Sequence, residues 1–349
     1  MQTSSPTESF GRFSARVAST VDTALRGWLD RRIARAASLH GDVGAVAGAI
    51  ADLTLRGGKR LRPILTAVAY EAFAPGESFE RIAPSLVALE LLQSYLLTHD
   101  DWMDGDALRR GGASVHTALA ERFGTAEAGA HAGILAGDLA SAYATEALLE
   151  TDVPPPALVE ALREFAEMHH RVVLGQTLDV RSVCRESAEI ERMHDLKTGS
   201  YTVRGPLRLG AALAGAPAAA REKLDAFAAP LGVAFQLSDD LLGAFGDERL
   251  TGKPAGSDFR EGKRTAVVAA LEAEGAAWAK RLQGAPALSA GDLGRLIEDA
   301  KRSGVRARVE ARIDALEGAA TAAVDALAVS QVGRHRLRAA AQVLIRREH

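Results

Sequence analysis

Asparagine is missing from this chain, cysteine occurs once and aromatic residues make up only 5% of it. Each scarcity excludes something. Without asparagine, no metal site can use an asparagine ligand. The lone Cys184 rules out an internal disulfide framework and fits a reducing, cytoplasmic setting. The shortage of β-prone aromatics, with alternating apolar and polar stretches essentially missing, argues against a fold built on strands. No run reaches the roughly 18 apolar residues of a membrane span. The apolar stretch Ala211 to Ala220 is short and ends at Arg221-Glu222-Lys223. Met1 to Phe10 is polar and lacks the basic start and apolar core of a signal peptide. A net charge of −3 and a pI near 6.3 give no basis for non-specific nucleic-acid binding.

What is present is helical. The 349 residues are 47% hydrophobic, enough for a sizeable core. Phe13, Val17, Val21, Leu25 and Leu29 recur every four residues, so 11 to 55 reads as helix. Gly57-Gly58 breaks it, and further helices are expected over 63–73, 80–104, 114–122, 126–149, 156–182, 187–215 and 219–245, with a loop at Gly105 to Gly112. Gly246 to Lys263, rich in glycine and charge, reads as an ordered functional loop. Ala-rich amphipathic helix returns from 264 to 349. No fixed-period repeat or composition shift marks a boundary. The expectation is all-α: a single large helical bundle with a central cavity, one domain over 1–349, with 1–10 flexible.

The chain centres on Asp100-Asp101-Trp102-Met103-Asp104, at the end of an apolar run. On a helix Asp100 and Asp104 lie one turn apart on one face, and Asp101 is displaced by about 100°. Carboxylates this close repel one another unless cations sit between them. Such oxygen-only ligands suit magnesium shared with a phosphate. A second pair, Asp239-Asp240 after Gln236, also ends an apolar helix, so two acidic helix ends could oppose each other and hold a diphosphate through metal ions. Cations gather around them: Lys59, Arg60 and Arg62 after the Gly-Gly turn, Arg109-Arg110 one loop beyond the first acids, Lys197 in mid-chain, Lys253 and Lys263 in the Gly-rich loop. Arginine's planar fork suits phosphate oxygens.

In order, Gly57-Gly58-Lys59-Arg60-Leu61-Arg62-Pro63, Asp100 to Asp104, Arg109-Arg110-Gly111, Gly175-Gln176-Thr177-Leu178-Asp179, Lys197-Thr198, Phe235 to Asp240 and the loop Thr251 to Thr265 make a sequence that resembles the trans-isoprenyl diphosphate synthases, or polyprenyl synthetases, over about residues 50 to 270. The resemblance implies that Asp100, Asp101, Asp104, Asp239 and Asp240 bind magnesium, three ions per site with substrate present. It implies that Arg109, Lys197 and Lys253, with Lys263, contact an allylic diphosphate, and that Lys59, Arg62, Arg110 and Gln93 bind isopentenyl diphosphate without metal. Thr198 and Gln236 would line the reaction centre. The implied reaction ionises the allylic diphosphate, joins the cation to the double bond of isopentenyl diphosphate and loses a proton; no protein nucleophile is needed. His99, His116, His131, His169 and His170 then read as structural. A homodimer is implied too.

Two departures stand out. Gly243 replaces an expected acid in the second motif, where Asp247 or Asp258 could compensate, and the first motif has the short spacing. Tyr95 and Leu96, five and four residues before Asp100, fall where the resemblance places the floor of the elongation cavity. A bulky Tyr95 with the short motif is similar to geranylgeranyl diphosphate synthases, so a twenty-carbon product is expected, with farnesyl diphosphate the alternative. A class I terpene cyclase fits less well: its second motif uses an Asn/Ser/Glu triad, and it needs no Lys59, Arg62 and Arg110. A non-catalytic synthase subunit would be expected to lose its acidic motifs.

Overall fold

The computed structural model describes residues 8–181, 183–184, 187–246, 256–260, 265–273 and 290–345. Lys253, Lys263 and Asp247 lie outside them, as does most of the Gly-rich loop; Asp258 falls within a four-residue helix, Ser257–Arg260.

The chain divides into two compact units, Met1–Glu164 with Arg208–Ala216, and Phe165–Leu207 with Pro217–His349. The first opens with α1 (Phe10–Leu39), whose start is capped by Ser9 accepting from the Arg12 N–H. Phe13, Val17, Val21, Leu25 and Leu29 are all buried, as their spacing requires; each such side chain contributes about 1.5–3 kcal/mol. The single helix expected over 11–55 is in fact two. His40 turns extended (φ −167°, ψ 149°), and its Nδ1 caps α2 (Gly41–Leu55) by accepting from the Asp42 N–H. The chain doubles back so tightly that a Cβ on Gly44 would lie 2.9 Å from that of Ala37. Periodicity cannot register such a corner, because the apolar stripe resumes after it.

Next come α3 (Leu61–Phe73), a 3-10 turn (Phe79–Ile82) and α4 (Ala83–Asp104). Pro84 suits the first turn of α4, and Gly105, with φ 71°, ends it in the left-handed region that L residues avoid. The expected loop after Gly105 contains a small antiparallel hairpin, β1 (Leu108–Arg109) paired with β2 (Gly112–Ala113). Then follow α5 (Val115–Phe123) and α6 (Ala126–Leu149). α4 packs against α6, α3 and α1. Up to its last turn, where Ala147 and Leu148 are also buried, α6 buries only Gly129, Ala132, Gly133, Ala136, Gly137, Ala140 and Ala144, small residues that let neighbours press close.

The second unit is entered along α7 (Pro155–Val180). After α8 (Ser187–His194), residues Asp195–Arg204 form a π-helix that runs into α9 (Gly205–Leu213), so the helix expected over 187–215 widens in its middle. The long α10 (Ala218–Phe245) is the unit's axis, with Pro230 inside it. A Cβ on Gly232 would lie 3.4 Å from Gly199 Cα, so the π-helix and α10 meet backbone to backbone. The Ser257–Arg260 helix is α11; α12 (Ala266–Ala273), α13 (Ala290–Arg302), α14 (Val305–Asp325) and α15 (Gln331–Ile345) complete the unit. Apart from the hairpin, the described residues are helix and connections, in accord with the all-α expectation. No described helix is long and apolar enough to cross a membrane.

Candidate active site

The last turn of α4 carries the first acidic cluster. Asp100 is half-buried and Asp104 exposed, while Asp101 is wholly buried. Arg109, on β1, reaches back and its Nε donates to Asp101 Oδ1 at 2.5 Å, with Nη2 on Asp106 at 3.0 Å. Asp101 Oδ2 is buried without a hydrogen-bond partner. Burial pushes the Asp101 carboxyl above the usual carboxylate range; Arg109 pulls it down, and Asp100 and Asp106 push it further up. Burial acts to lower Arg109, but the carboxylates of Asp101, Asp100 and Asp106 outweigh it and hold the guanidinium above its ordinary value.

The cations around the Gly-Gly turn separate into two kinds. Arg60, with φ 48°, is almost wholly buried. It pairs with the buried Glu90, donates from Nε to Asp22 Oδ1 at 2.9 Å and reaches the Thr54 carbonyl at 3.3 Å. Its charge is spent inside the fold. Lys59 is exposed and Arg62 buried at the start of α3. Arg110 donates from Nη1 to the Gly57 carbonyl at 2.7 Å. Burial pulls its guanidinium below the ordinary value; Arg60, Arg62 and Arg109 add to that, and Glu90 only partly offsets them. Arg110 thus stands among like charges that reinforce the effect of its burial. Gly58, with φ 144°, lies against two of these groups: a Cβ there would stand 3.4 Å from Arg60 Nη1 and 3.5 Å from Arg110 Nη2.

A residue that belongs to none of the motifs ties the hairpin down. Arg56, at the end of α2, donates from Nη1 to the carbonyls of Arg109 (3.1 Å) and Ala113 (2.7 Å) and pairs with Asp52. The carbonyls it holds lie more than fifty positions away, so no local pattern announces it.

Further up α4, Gln93 and Leu96 are half-buried. Tyr95 is 9% exposed and packs edge-on against His99, ring centroids 5.0 Å apart. His99 Nε2 lies 3.1 Å from the Ile134 carbonyl on α6, in a notch that exists because residue 137 is glycine: a Cβ there would meet the imidazole at 2.2 Å.

In the second unit, Asp239 is half-buried and Asp240 buried. Both Asp240 oxygens are held: Gln236 Nε2 donates to Oδ1 at 2.8 Å and the Ala266 N–H to Oδ2 at 2.8 Å. Gln236, expected at the reaction centre, therefore also fixes its neighbouring acid. Lys197 and Thr198 lie on the π-helix, half-buried. Lys197 Nζ donates to Asp179 Oδ2 at 2.6 Å, joining two of the motifs. Gly175 makes room for them, since a Cβ there would lie 2.3 Å from the Lys197 nitrogen. His194 Nδ1 is 4.0 Å from Asp240 Oδ2, and burial pushes its pKa down to about 4.

Among the described residues no three His, Cys, Asp or Glu side chains converge as a ready-made metal cage. That does not disqualify magnesium, which typically takes one or two carboxylates and completes its shell with phosphate oxygens and water. The all-oxygen donor set and the unpartnered Asp101 Oδ2 fit a hard cation.

The geometry thus offers carboxylates and forked cations at helix ends of an all-α bundle, the equipment of a protein that handles phosphate oxygens. The polyprenyl synthetase family model matches residues 45–287, and the chain belongs to that family. A short chain isoprenyl diphosphate synthase of Methanocaldococcus jannaschii is 36% identical over 218 residues, 62% of this chain and 63% of that protein. A (2E,6E)-farnesyl diphosphate synthase of Mycobacterium tuberculosis H37Rv is 36% identical over 228 residues, 64% of this chain and 60% of that one. The matched stretch thus spans less than two thirds of either relative. Among solved structures, a geranylgeranyl pyrophosphate synthase of Corynebacterium glutamicum, complexed with isoprenyl diphosphate and magnesium, superposes with a TM-score of 0.87 at 30% identity, covering 98% of this chain and 100% of that one.

Proposed function

We propose that this chain is a magnesium-dependent trans-prenyltransferase that condenses isopentenyl diphosphate with an allylic diphosphate, with geranylgeranyl diphosphate as its main product. The observation that carries this reading is the paired-arginine hairpin. Arg109 lies on the acid cluster of α4 and Arg110 in the cation-rich turn after α2, so adjacent residues serve a metal-bound and a metal-free phosphate. Asp100, Asp101 and Asp104 on α4, and Asp239 and Asp240 on α10, would hold the magnesium ions, three with substrate bound. Bound there, the metal supplies charge stabilisation for the departing diphosphate. The chain's own groups do the rest. Arg109 and Lys197, with Lys253 and Lys263, bind the allylic diphosphate and stabilise it as it leaves. Lys59, Arg62, Arg110 and Gln93 orient isopentenyl diphosphate, and Thr198 and Gln236 line the reacting atoms. Tyr95, with Leu96, limits chain growth. The working form is a homodimer in which residues 1–349 act as one synthase domain.

A fifteen-carbon product is the second reading, favoured by the mycobacterial farnesyl diphosphate synthase among the relatives. Incubating the purified chain with magnesium, isopentenyl diphosphate and dimethylallyl, geranyl or farnesyl diphosphate, then sizing the products, separates the two. No elongation from any starter refutes the proposal, and a cyclised hydrocarbon would point to the cyclase instead.

A further inference from the structure

The β1–β2 hairpin has just two residue pairs, Leu108 with Ala113 and Arg109 with Gly112. A ladder that short does not hold its own position in water. Something else fixes it, and the contacts show what. Arg56 Nη1 donates to the Arg109 carbonyl on one strand and the Ala113 carbonyl on the other, so one guanidinium spans the hairpin's base. Its second nitrogen is anchored to Asp52, one turn back on α2. The fit is close: a Cβ on Gly112 would stand 2.6 Å from Arg56 Cζ and Nη1. The hairpin also holds Arg110 at φ 51°, a conformation L residues take at a cost, so an outside constraint is needed there.

We propose that Arg56 is a positioning residue for substrate binding: by clamping the main chain of the hairpin to the end of α2, it sets where the guanidinium groups of Arg109 and Arg110 stand. This rests on the reading that those two arginines bind the diphosphates. Arg56 need not touch substrate. One of the two carbonyls it holds is that of Arg109, and the peptide that carbonyl belongs to leads straight into Arg110. Lysine is a poor replacement, because an ammonium lacks the planar fork that meets two carbonyls and a carboxylate at once.

The test uses the full chain with Arg56→Met, Arg56→Lys, Gly112→Ala and the double variant Arg56→Met/Gly112→Ala, with Arg109→Gln and Arg110→Gln as references. Three quantities are read: the metal-free Kd for isopentenyl diphosphate by calorimetry, KM and kcat for both substrates, and the unfolding temperature. Arg56→Met is expected to weaken isopentenyl diphosphate binding and raise the allylic KM by about tenfold each, the worth of a hydrogen bond or two, with Arg56→Lys recovering part of the loss. Gly112→Ala displaces the same guanidinium from the opposite side and should imitate it, so the double variant is no worse than either single one. If Arg110→Gln raises the Kd and Arg56→Met does not, the clamp is overturned. It is overturned equally if the losses in the double variant multiply. If neither Arg109→Gln nor Arg110→Gln changes either constant, the diphosphate reading has itself failed and takes the clamp with it. Should Arg56→Met not fold, Gly112→Ala, which deletes no ion pair, decides the matter by the same criteria.

Discussion

Gly175→Ala adds one methyl group to the chain, yet it should disable a site whose side chains it never touches. Gly175 is buried on α7, and the new Cβ would stand 2.3 Å from the Lys197 nitrogen, 2.7 Å from Lys197 Cα and 2.8 Å from the Leu196 carbonyl carbon. All three are main-chain atoms, so no side-chain rotation relieves the clash. Restoring ordinary contact requires the π-helix to move by about 1 Å. That segment carries Lys197 and Thr198, and Lys197 Nζ is also tied to Asp179. Overpacking of this kind costs about 1–3 kcal/mol of stability, and a misplacement of about 1 Å in a catalytic group can cost on the order of a hundredfold in rate. Steady-state assays with saturating substrates should therefore show kcat down by about two orders of magnitude, with a modest drop in unfolding temperature. Metal-free binding of isopentenyl diphosphate, assigned to Lys59, Arg62 and Arg110, should hardly change. Gly318→Ala on α14 is the control: nothing lies within 4 Å of its added Cβ, and it should stabilise the protein by about 0.5–1 kcal/mol. Wild-type kcat in Gly175→Ala would refute the claim that the glycine positions Lys197.

Arg60→Met removes the partner of Glu90, which is 3% exposed, and leaves a buried carboxylate without its ion pair; chemical denaturation should show a loss of about 3–5 kcal/mol, against little change in stability for Lys59→Met. Tyr95→Ala should lengthen the products beyond those of the wild type, read by chromatography of the dephosphorylated prenols; unchanged products mean that Tyr95 is not the floor. His194 has a pKa lowered by burial to about 4 in the folded protein against 6.5 unfolded. Between those values the unfolded chain binds the extra proton, so the contribution is fully present above pH 6.5 and is lost as pH falls toward 4, up to about 3 kcal/mol in all. Denaturant titrations in EDTA at pH 7 and pH 4.5, with His194→Gln losing that part of the acid sensitivity, check it.

The helical architecture was legible because an apolar stripe at a spacing of four residues is a local property, and Phe13 to Leu29 is such a stripe. The corner at His40 was not, because it leaves that stripe intact on both sides. The π-helix was hidden for a different reason. Three glycines mark its packing, Gly175 against Lys197 and Gly199 against Gly232, and such close approach is a property of the packed structure. The same holds for the site. Motif order named Lys59, Arg109, Arg110 and Lys197, but Arg60, which looks like them in sequence, is consumed by Glu90 and Asp22. Arg56 leaves no mark in the sequence because the hairpin carbonyls it holds are atoms every residue possesses.

The two Asp-Asp pairs follow one rule. Adjacent residues on a helix point about 100° apart, so when the helix is packed on one side they cannot both face solvent. In each pair the second aspartate is the buried one: Asp101 against Arg109, Asp240 against Gln236 and the Ala266 N–H. A buried carboxylate without donors would be costly, which is why each is held by a neighbour of its own site. In each pair the first aspartate is the less buried, and Asp104 joins Asp100 one turn along α4. A doubled acid therefore does two jobs with one dipeptide. Under the proposed function the second carboxylate anchors the local framework besides serving the metal, Asp101 holding Arg109, and the first stands less buried beside it. Under the proposed function, the chemistry of the motif depends on the second residue as much as on the first, through the position of the groups it holds.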